Sequence, residues 1–257
     1  MIALIGAGNV ATWLVDKLKE SKDFPIGQIY SRHLENASAL AQKVGAEAID
    51  DLHRLNPTCD VYLFALKDDA YPQIFSEIPF KMSTAILTAG SVSQNVLAPY
   101  ATHYGVVYPL QTFSKNADMS ALKVPICIEN NCLGEKSALI DGFAAELSDL
   151  RYVINENQRF TLHLAAVFAC NFSNALCGMA DEILRSRNLD FQMLLPLLKQ
   201  TMAKLETLPP AKAQTGPAVR GDASVMNKHL AALDAEKGEV YRRISAYIAK
   251  MKDIQES

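Results

Sequence analysis

Six residues near the start of the chain, Gly6-Ala7-Gly8-Asn9-Val10-Ala11, constrain its fold more than any other segment. They follow an apolar run, Ile2-Ala3-Leu4-Ile5, and open a stretch (10–20) whose apolar residues recur at helical spacing. Strand, glycine turn and helix in that order form the context of a dinucleotide-binding turn. Gly6 permits a tight turn, Gly8 allows the backbone close to a pyrophosphate, and Ala11 lets the helix pack near the strand. Unpaired N–H groups and the positive end of the helix dipole then face the phosphates. Two other readings fit the glycines alone: a turn in an unrelated α/β fold, or a site for another nucleoside such as a methyl donor.

The second strand separates NAD from NADP. NAD-preferring domains place a carboxylate about 20 residues beyond the glycines, on the ribose 2′-hydroxyl. Here the chain reads Ile29-Tyr30-Ser31-Arg32-His33, with no acid before Glu35. A hydroxyl and a guanidinium suit a 2′-phosphate, which Arg can grip with paired charge-assisted donors. NADP is therefore the expected cofactor; the alternative is that Arg32 caps or solvates the next helix. Its expected contacts are Gly6, Ala7, Gly8, Asn9, Val10, Ser31 and Arg32, then two further strand ends, Ala65-Leu66-Lys67 and Ala89-Gly90. Asp68 and Asp69 are expected to cap a helix starting near Ala70.

The first half alternates β-rich runs with helical patterns, which predicts parallel strands joined by crossover helices. Strands are expected at 2–5, 28–30, 48–49, 61–65, 85–88, 105–108, 125–128 and 152–154, and helices at 10–20, 36–44 and 135–147. Beyond about residue 155 the strand signal stops. Helices are expected at 158–186, 191–205 and 223–252, the last broken near Gly238, with a Pro/Gly-rich ordered loop over 208–217. The expected fold is α/β: an N-terminal Rossmann-type parallel-sheet domain (1–154) followed by an all-helical C-terminal domain (155–257) for substrate and dimerisation.

Composition narrows the partners. A formal net charge of −3 without a basic tract gives no support for nucleic acid or an anionic membrane surface. The start of the chain lacks a basic stretch and reads as a strand, so a cytoplasmic protein is expected. The five cysteines are scattered, without metal-ligand spacing, and are expected to be reduced structural thiols with no metal site. Residues 164–180 carry no charge and approach the length of a membrane span. Asn171, Ser173 and Asn174 within them favour a helix buried in a soluble protein. The apolar excess over 162–183 and 194–205 predicts a homodimer through these helices.

The glycine turn, Ser31-Arg32 and the following strand ends resemble the superfamily of 6-phosphogluconate dehydrogenase, pyrroline-5-carboxylate reductase and F420-dependent NADP oxidoreductase. Tyr108-Pro109-Leu110-Gln111-Thr112-Phe113-Ser114, Ala165-Ala166-Val167-Phe168-Ala169-Cys170-Asn171-Phe172 and Thr215-Gly216-Pro217-Ala218-Val219-Arg220-Gly221-Asp222 are similar to the Rossmann-like, DUF2520-containing family. The resemblance implies an NADP-type fold with a helical, commonly dimerising C-terminal domain, and it supplies no substrate. The lysine–asparagine pair of hydroxyacid dehydrogenases and the pyrroline-5-carboxylate reductase signature are not evident on the long helix.

At about 100° per residue, Arg159, His163, Cys170, Asn171, Asn174 and Gly178 fall in one sector of that helix. The stripe either lines a cleft or satisfies the core. His163 is the candidate proton donor, Asn171 a candidate donor to the substrate, and Arg220 an anchor for a substrate anion or half of a structural ion pair. The leading reading is an NADP-dependent oxidoreductase moving a hydride between the nicotinamide and a small carbonyl or imine metabolite. Its rivals are a non-catalytic dinucleotide-binding sensor or scaffold, and an NADP:F420-type oxidoreductase.

Overall fold

A computed structural model describes residues 1–114 and 122–256. Its strands are β1 (Ile2–Ile5), β2 (Ile26–Tyr30), β3 (Glu47–Ile49), β4 (Val61–Phe64), β5 (Met82–Leu87), β6 (Ala101–Pro109), β7 (Ile126–Asn130) and β8 (Arg151–Val153). They form one sheet in the order β3-β2-β1-β4-β5-β6-β7-β8. From β3 to β6 the neighbours are parallel. The expectation of parallel strands fails at the far side, where β7 pairs antiparallel to β6 and β8 follows β7. Periodicity marks a strand but carries no direction, which the path of the connection decides.

Residues of β1 are buried in alternation on the two faces of the sheet, which explains the uninterrupted apolar run. Ile2 and Leu4 join Ile29, Leu63 and Ile86 beneath α1 (Asn9–Leu18), α2 (Leu34–Val44) and α4 (Glu135–Leu147). Ala3 and Ile5 join Tyr62, Phe64 and Leu87 against α3 (Tyr71–Glu77), the short helix expected to start near Ala70. Each fully buried Leu or Ile contributes about 1.5–3 kcal/mol. The chain moves outward from β1 to β3 and then crosses back to β4. The strand order thus reverses between β1 and β4, opening a crevice at their carboxyl ends.

Contacts divide the chain into two compact units, Met1–Asn171 and Phe172–Ser257. Helix α5 (Glu156–Ala166) belongs to the first. It starts two residues earlier than its apolar spacing suggests, because Asn155 and Gln158 form a reciprocal capping box. A wide i→i+5 turn, Val167–Phe172, then interrupts the α-helical repeat before α6 (Ser173–Arg185). Each residue of such a turn advances less than 100°, so one stripe cannot be drawn through it.

This helical stretch is not buried within the chain as expected. Of α5, only Arg159 is buried, while Phe160 and Leu164 are exposed, as are Leu176 and Ile183 of α6. The stretch Glu156–Arg185 is long and apolar enough to cross a membrane by length and composition.

The second unit continues with α7 (Leu195–Lys204), α8 (Pro210–Ala213), α9 (Pro217–Arg220), α10 (Ala223–Ala232) and α11 (Ala235–Glu256). The expected loop over 208–217 holds helical turns started by prolines, which suit a first helical position. The last helical segment breaks at Leu233, not at Gly238: Leu233 is extended, and the Asp234 carboxylate accepts from Lys237 N at 2.8 Å. Lys237 also bridges to Glu182 at 2.7 Å, joining α11 to α6.

Candidate active site

The carboxyl end of β1 turns through Gly6, whose φ of +119° lies in the region open to glycine. A Cβ there would fall on the Ala65 carbonyl oxygen at the end of β4. Above Gly8 nothing lies within 4 Å, which leaves room for a phosphate group to approach the backbone. Gly8 caps α1 without a side-chain hydrogen bond, and the first turn carries no acid. Its N–H groups are therefore available to an anion. Asn9 Nδ2 donates to Phe113 O at 2.8 Å, fixing this turn against the chain that follows β6.

β2 lies beside β1, with Ile5 opposite Tyr30, so Ser31 and Arg32 emerge at the same edge as the glycine turn. Arg32 is exposed and has no hydrogen bond or ion pair among the described residues. α2 begins at Leu34 with His33 in the capping position and no side-chain cap, so the capping alternative for Arg32 is not realised. Ser31 Oγ accepts from His33 N at 3.3 Å. An open glycine cradle and an unpartnered guanidinium on the adjacent strand fit a dinucleotide bearing a 2′-phosphate.

Further along the same edge, Ala65-Leu66-Lys67 follow β4 and Ala89-Gly90 follow β5. Ala65, Ala89 and Gly90 are buried, whereas Lys67 is exposed. Asp68 does not cap a helix: its carboxylate accepts from Ser91 Oγ and ties these two strand ends together. The two loops follow the neighbouring strands β4 and β5, which brings the Asp68 carboxylate to the Ser91 hydroxyl.

Arg159 closes this loop from the other side. Its side chain is 1% exposed; Nη1 donates to Ala89 O and Gly90 O, each at 3.0 Å. Nε and Nη2 donate to Glu129 Oε2 at 3.2 and 3.1 Å, and Glu129 Oε1 accepts from Gln94 at 3.0 Å. The polar stripe therefore has three parts. Arg159 is satisfied inside the core, while His163, Cys170 and Asn171 line an open cleft of about 680 Å³ with Tyr108, Gln111 and Thr112. Asn174 and Gly178, beyond the wide turn, line a groove within the second unit beside Asp181 and Arg185.

His163 sits one helical turn after Arg159, and its Nδ1 lies 3.0 Å from Tyr108 Oη. The two rings meet edge to face, with centroids 5.9 Å apart. Both touch Gly90: a Cβ there would stand 2.6 Å from His163 Nδ1 and 2.9 Å from Tyr108 Cζ. Burial pushes the Tyr108 hydroxyl up to about 12, with Cys127 adding to the rise and Arg159 opposing it. Tyr108 therefore stays a neutral phenol across the physiological range.

Arg220 belongs to the second unit, exposed at the end of α9, without a hydrogen bond or ion pair among the described residues. Its sequence neighbour Asp222 caps α10 by accepting from Val225 N at 3.2 Å. The structural ion pair that sequence proximity suggested for Arg220 is thus not formed. Sequence reasoning did not single out Tyr108 or Glu129 as functional. A tyrosine at the carboxyl end of an apolar strand and an acid inside an apolar strand were the available signals, since a buried carboxylate requires a cation.

Residues 1–97 match the family described as NADP oxidoreductase coenzyme F420-dependent, and residues 124–248 the family described as a domain of unknown function, DUF2520. A Bacteroides fragilis protein described as a putative NADP oxidoreductase shares 41% identity, with 97% of each chain covered and a TM-score of 0.90. A Thermotoga maritima protein shares the fold at 21% identity over the whole of both chains, with a TM-score of 0.72. So does a reductive aminase from Aspergillus terreus in complex with NADPH and ethyl-5-oxohexanoate, at 16% identity, 98% coverage of each chain and a TM-score of 0.74. No curated protein matches the chain.

Proposed function

Because the chain belongs to the DUF2520-containing family of NADP oxidoreductases, we propose that it reduces a small carbonyl or imine metabolite with NADPH, using His163 as proton donor. One observation carries this reading. The His163–Tyr108 pair meets the strand end at Gly90, on the cofactor edge of the sheet, and faces an open cleft. When bound, NADPH would supply the hydride for the carbon of the C=O or C=N bond, and the heteroatom would need one proton from the protein. The protein's own part is binding and proton delivery. Gly6 through Val10 hold the pyrophosphate, Ser31 and Arg32 hold the 2′-phosphate, and the loops at Ala65–Lys67 and Ala89–Gly90 flank the ribose and nicotinamide. His163 gives the proton, and Asn171 orients the substrate from the same cleft wall. Arg220 serves as an anchor for an anionic substrate group.

The helical part of the chain, 155–257, is in this reading the substrate and dimerisation domain. The exposed apolar residues Phe160, Leu164, Leu176, Ile183, Leu197 and Met202 support a second copy of the chain as their cover. A bilayer is disfavoured because Arg159 and His163 tie α5 to the sheet edge. Light scattering is expected to give a dimer, and Ile183→Glu with Leu197→Glu a monomer; a wild-type monomer at micromolar concentration refutes this part. Cytoplasmic residence goes with the reading, since an exposed thiol such as Cys170 persists in reducing surroundings.

The test is a panel of ketones, imines and a deazaflavin, followed by loss of NADPH absorbance. The expected result is turnover of a carbonyl or imine that falls about 100-fold or more in His163→Asn, with NADPH affinity unchanged. Tight NADPH binding without turnover of any compound identifies a sensor instead, and turnover of the deazaflavin alone identifies the F420-type activity.

A further inference from the structure

We propose that Tyr108 is the positioning residue of this reduction, holding His163 by Nδ1 so that Nε2 alone exchanges a proton with the substrate. The inference rests on the reading of His163 as proton donor and extends it to a residue of the sheet that lines the same cleft. Three elements fix the imidazole. Helix α5 carries it, and Arg159, one turn earlier, locks that helix to the Ala89 and Gly90 carbonyls. Gly90 has no side chain, which lets the two rings close upon the strand end. The Tyr108 hydroxyl, projecting from the carboxyl end of β6, meets Nδ1 at 3.0 Å.

The choice of nitrogen follows from hydrogen-bond capacity. A phenol both donates and accepts, so it suits Nδ1 in either state of the ring. It accepts from Nδ1–H when the ring is imidazolium and donates to Nδ1 when the ring is neutral. His163 is the one hydrogen-bond partner of this hydroxyl among the described residues. Donation to Nδ1 is therefore the arrangement that uses the phenol proton, and it puts the neutral ring's own proton on Nε2. In the reduction, the Nε2–H bond of the imidazolium breaks and the proton passes to the substrate's oxygen or nitrogen. The ring is left neutral in its Nδ1–H form, donating to the phenol oxygen. Nε2 then takes up a proton from the cleft solvent, and the resting neutral ring returns to the Nε2–H form once the Nδ1 proton is lost and the phenol turns to donate. The charged and titratable groups around the phenol are Asp68 from the loop after β4, Cys127 from β7, Arg159 from α5 and Cys170 from the wide turn.

The test is nitrogen NMR of the full-length protein labelled with ¹⁵N-histidine and loaded with NADPH, the His163 signals being assigned by their loss in His163→Asn. Wild type is expected to show one neutral tautomer, Nε2–H, with well-separated ring resonances. Tyr108→Phe is expected to show the averaged resonances of a tautomer mixture, at unchanged NADPH affinity. Its kcat should fall about tenfold or more with an altered pH profile, whereas KM should hold. Identical ring resonances in wild type and Tyr108→Phe, or an Nδ1–H tautomer in wild type, overturn the proposal. Full turnover by His163→Asn overturns the proton-donor reading instead. The NMR outcome needs no substrate, so the two failures are distinguishable.

Discussion

Replacing Arg159 by Met removes a buried charge while keeping most of the side-chain volume. The guanidinium is 1% exposed, and it serves Glu129, whose side chain is 11% exposed, and two strand-end carbonyls. Removing one partner of a buried ion pair leaves an uncompensated charge, a loss of about 3–5 kcal/mol. The carbonyls are not added to that figure, because groups in one network do not sum. For a unit of this size each kcal/mol moves the melting temperature by about 2–4 °C, so the drop should be roughly 6–20 °C. Trp13, the only tryptophan, is buried in α1 of the same unit and reports unfolding by fluorescence. The double variant Arg159→Met with Glu129→Gln should regain most of the loss, because neutralising both partners removes the stranded charge. Two results would refute the reasoning: a single variant within about 1 kcal/mol of wild type, or a double variant no more stable than the single. NADPH affinity should fall in the folded single variant, since Ala89 and Gly90 lose the donor that sets their peptides.

Three further outcomes are expected. NADPH should bind at least about tenfold tighter than NADH, equivalent to about 1.4 kcal/mol, and Arg32→Ala should erase most of the difference in calorimetry. Gly6→Ala should cost about 1–3 kcal/mol from backbone strain alone, before the clash with the Ala65 carbonyl, and abolish NADPH binding; a fully stable, binding-competent variant contradicts the turn geometry. Tyr108 ionises more readily unfolded, near pH 10, than folded, at about 12. Its contribution to stability is thus complete below pH 10 and lost as pH rises towards 12. Tyr108→Phe should flatten the alkaline decline measured by urea midpoints, and an unchanged slope refutes the burial assigned to the phenol.

The glycine turn, the eight strands and the hydroxyl–guanidinium pair after β2 were legible in the sequence because each depends on near neighbours along the chain. Gly6 must turn where Ile5 ends, whatever lies elsewhere, and alternation within Ile2–Ile5 decides which residues face which layer. Asn155 with Gln158 set the true start of α5 by the same local logic, although apolar spacing alone passed over it. The sequence also supplied His163 and Asn171 as cleft candidates, but its stripe assumed an unbroken α-helical repeat. The wide turn at Val167–Phe172 ends that repeat for reasons no period reveals. Tertiary structure alone decided that Arg159 serves the core, because its carboxylate lies 30 residues away on a strand whose direction periodicity does not fix. It alone joined Tyr108 to His163 across 55 residues and put both against Gly90. Such pairings follow from the order in which strands are laid into the sheet. Here that order carries β6 next to β5 and the start of α5 across their carboxyl ends, and so makes a strand tyrosine the partner of a helix histidine.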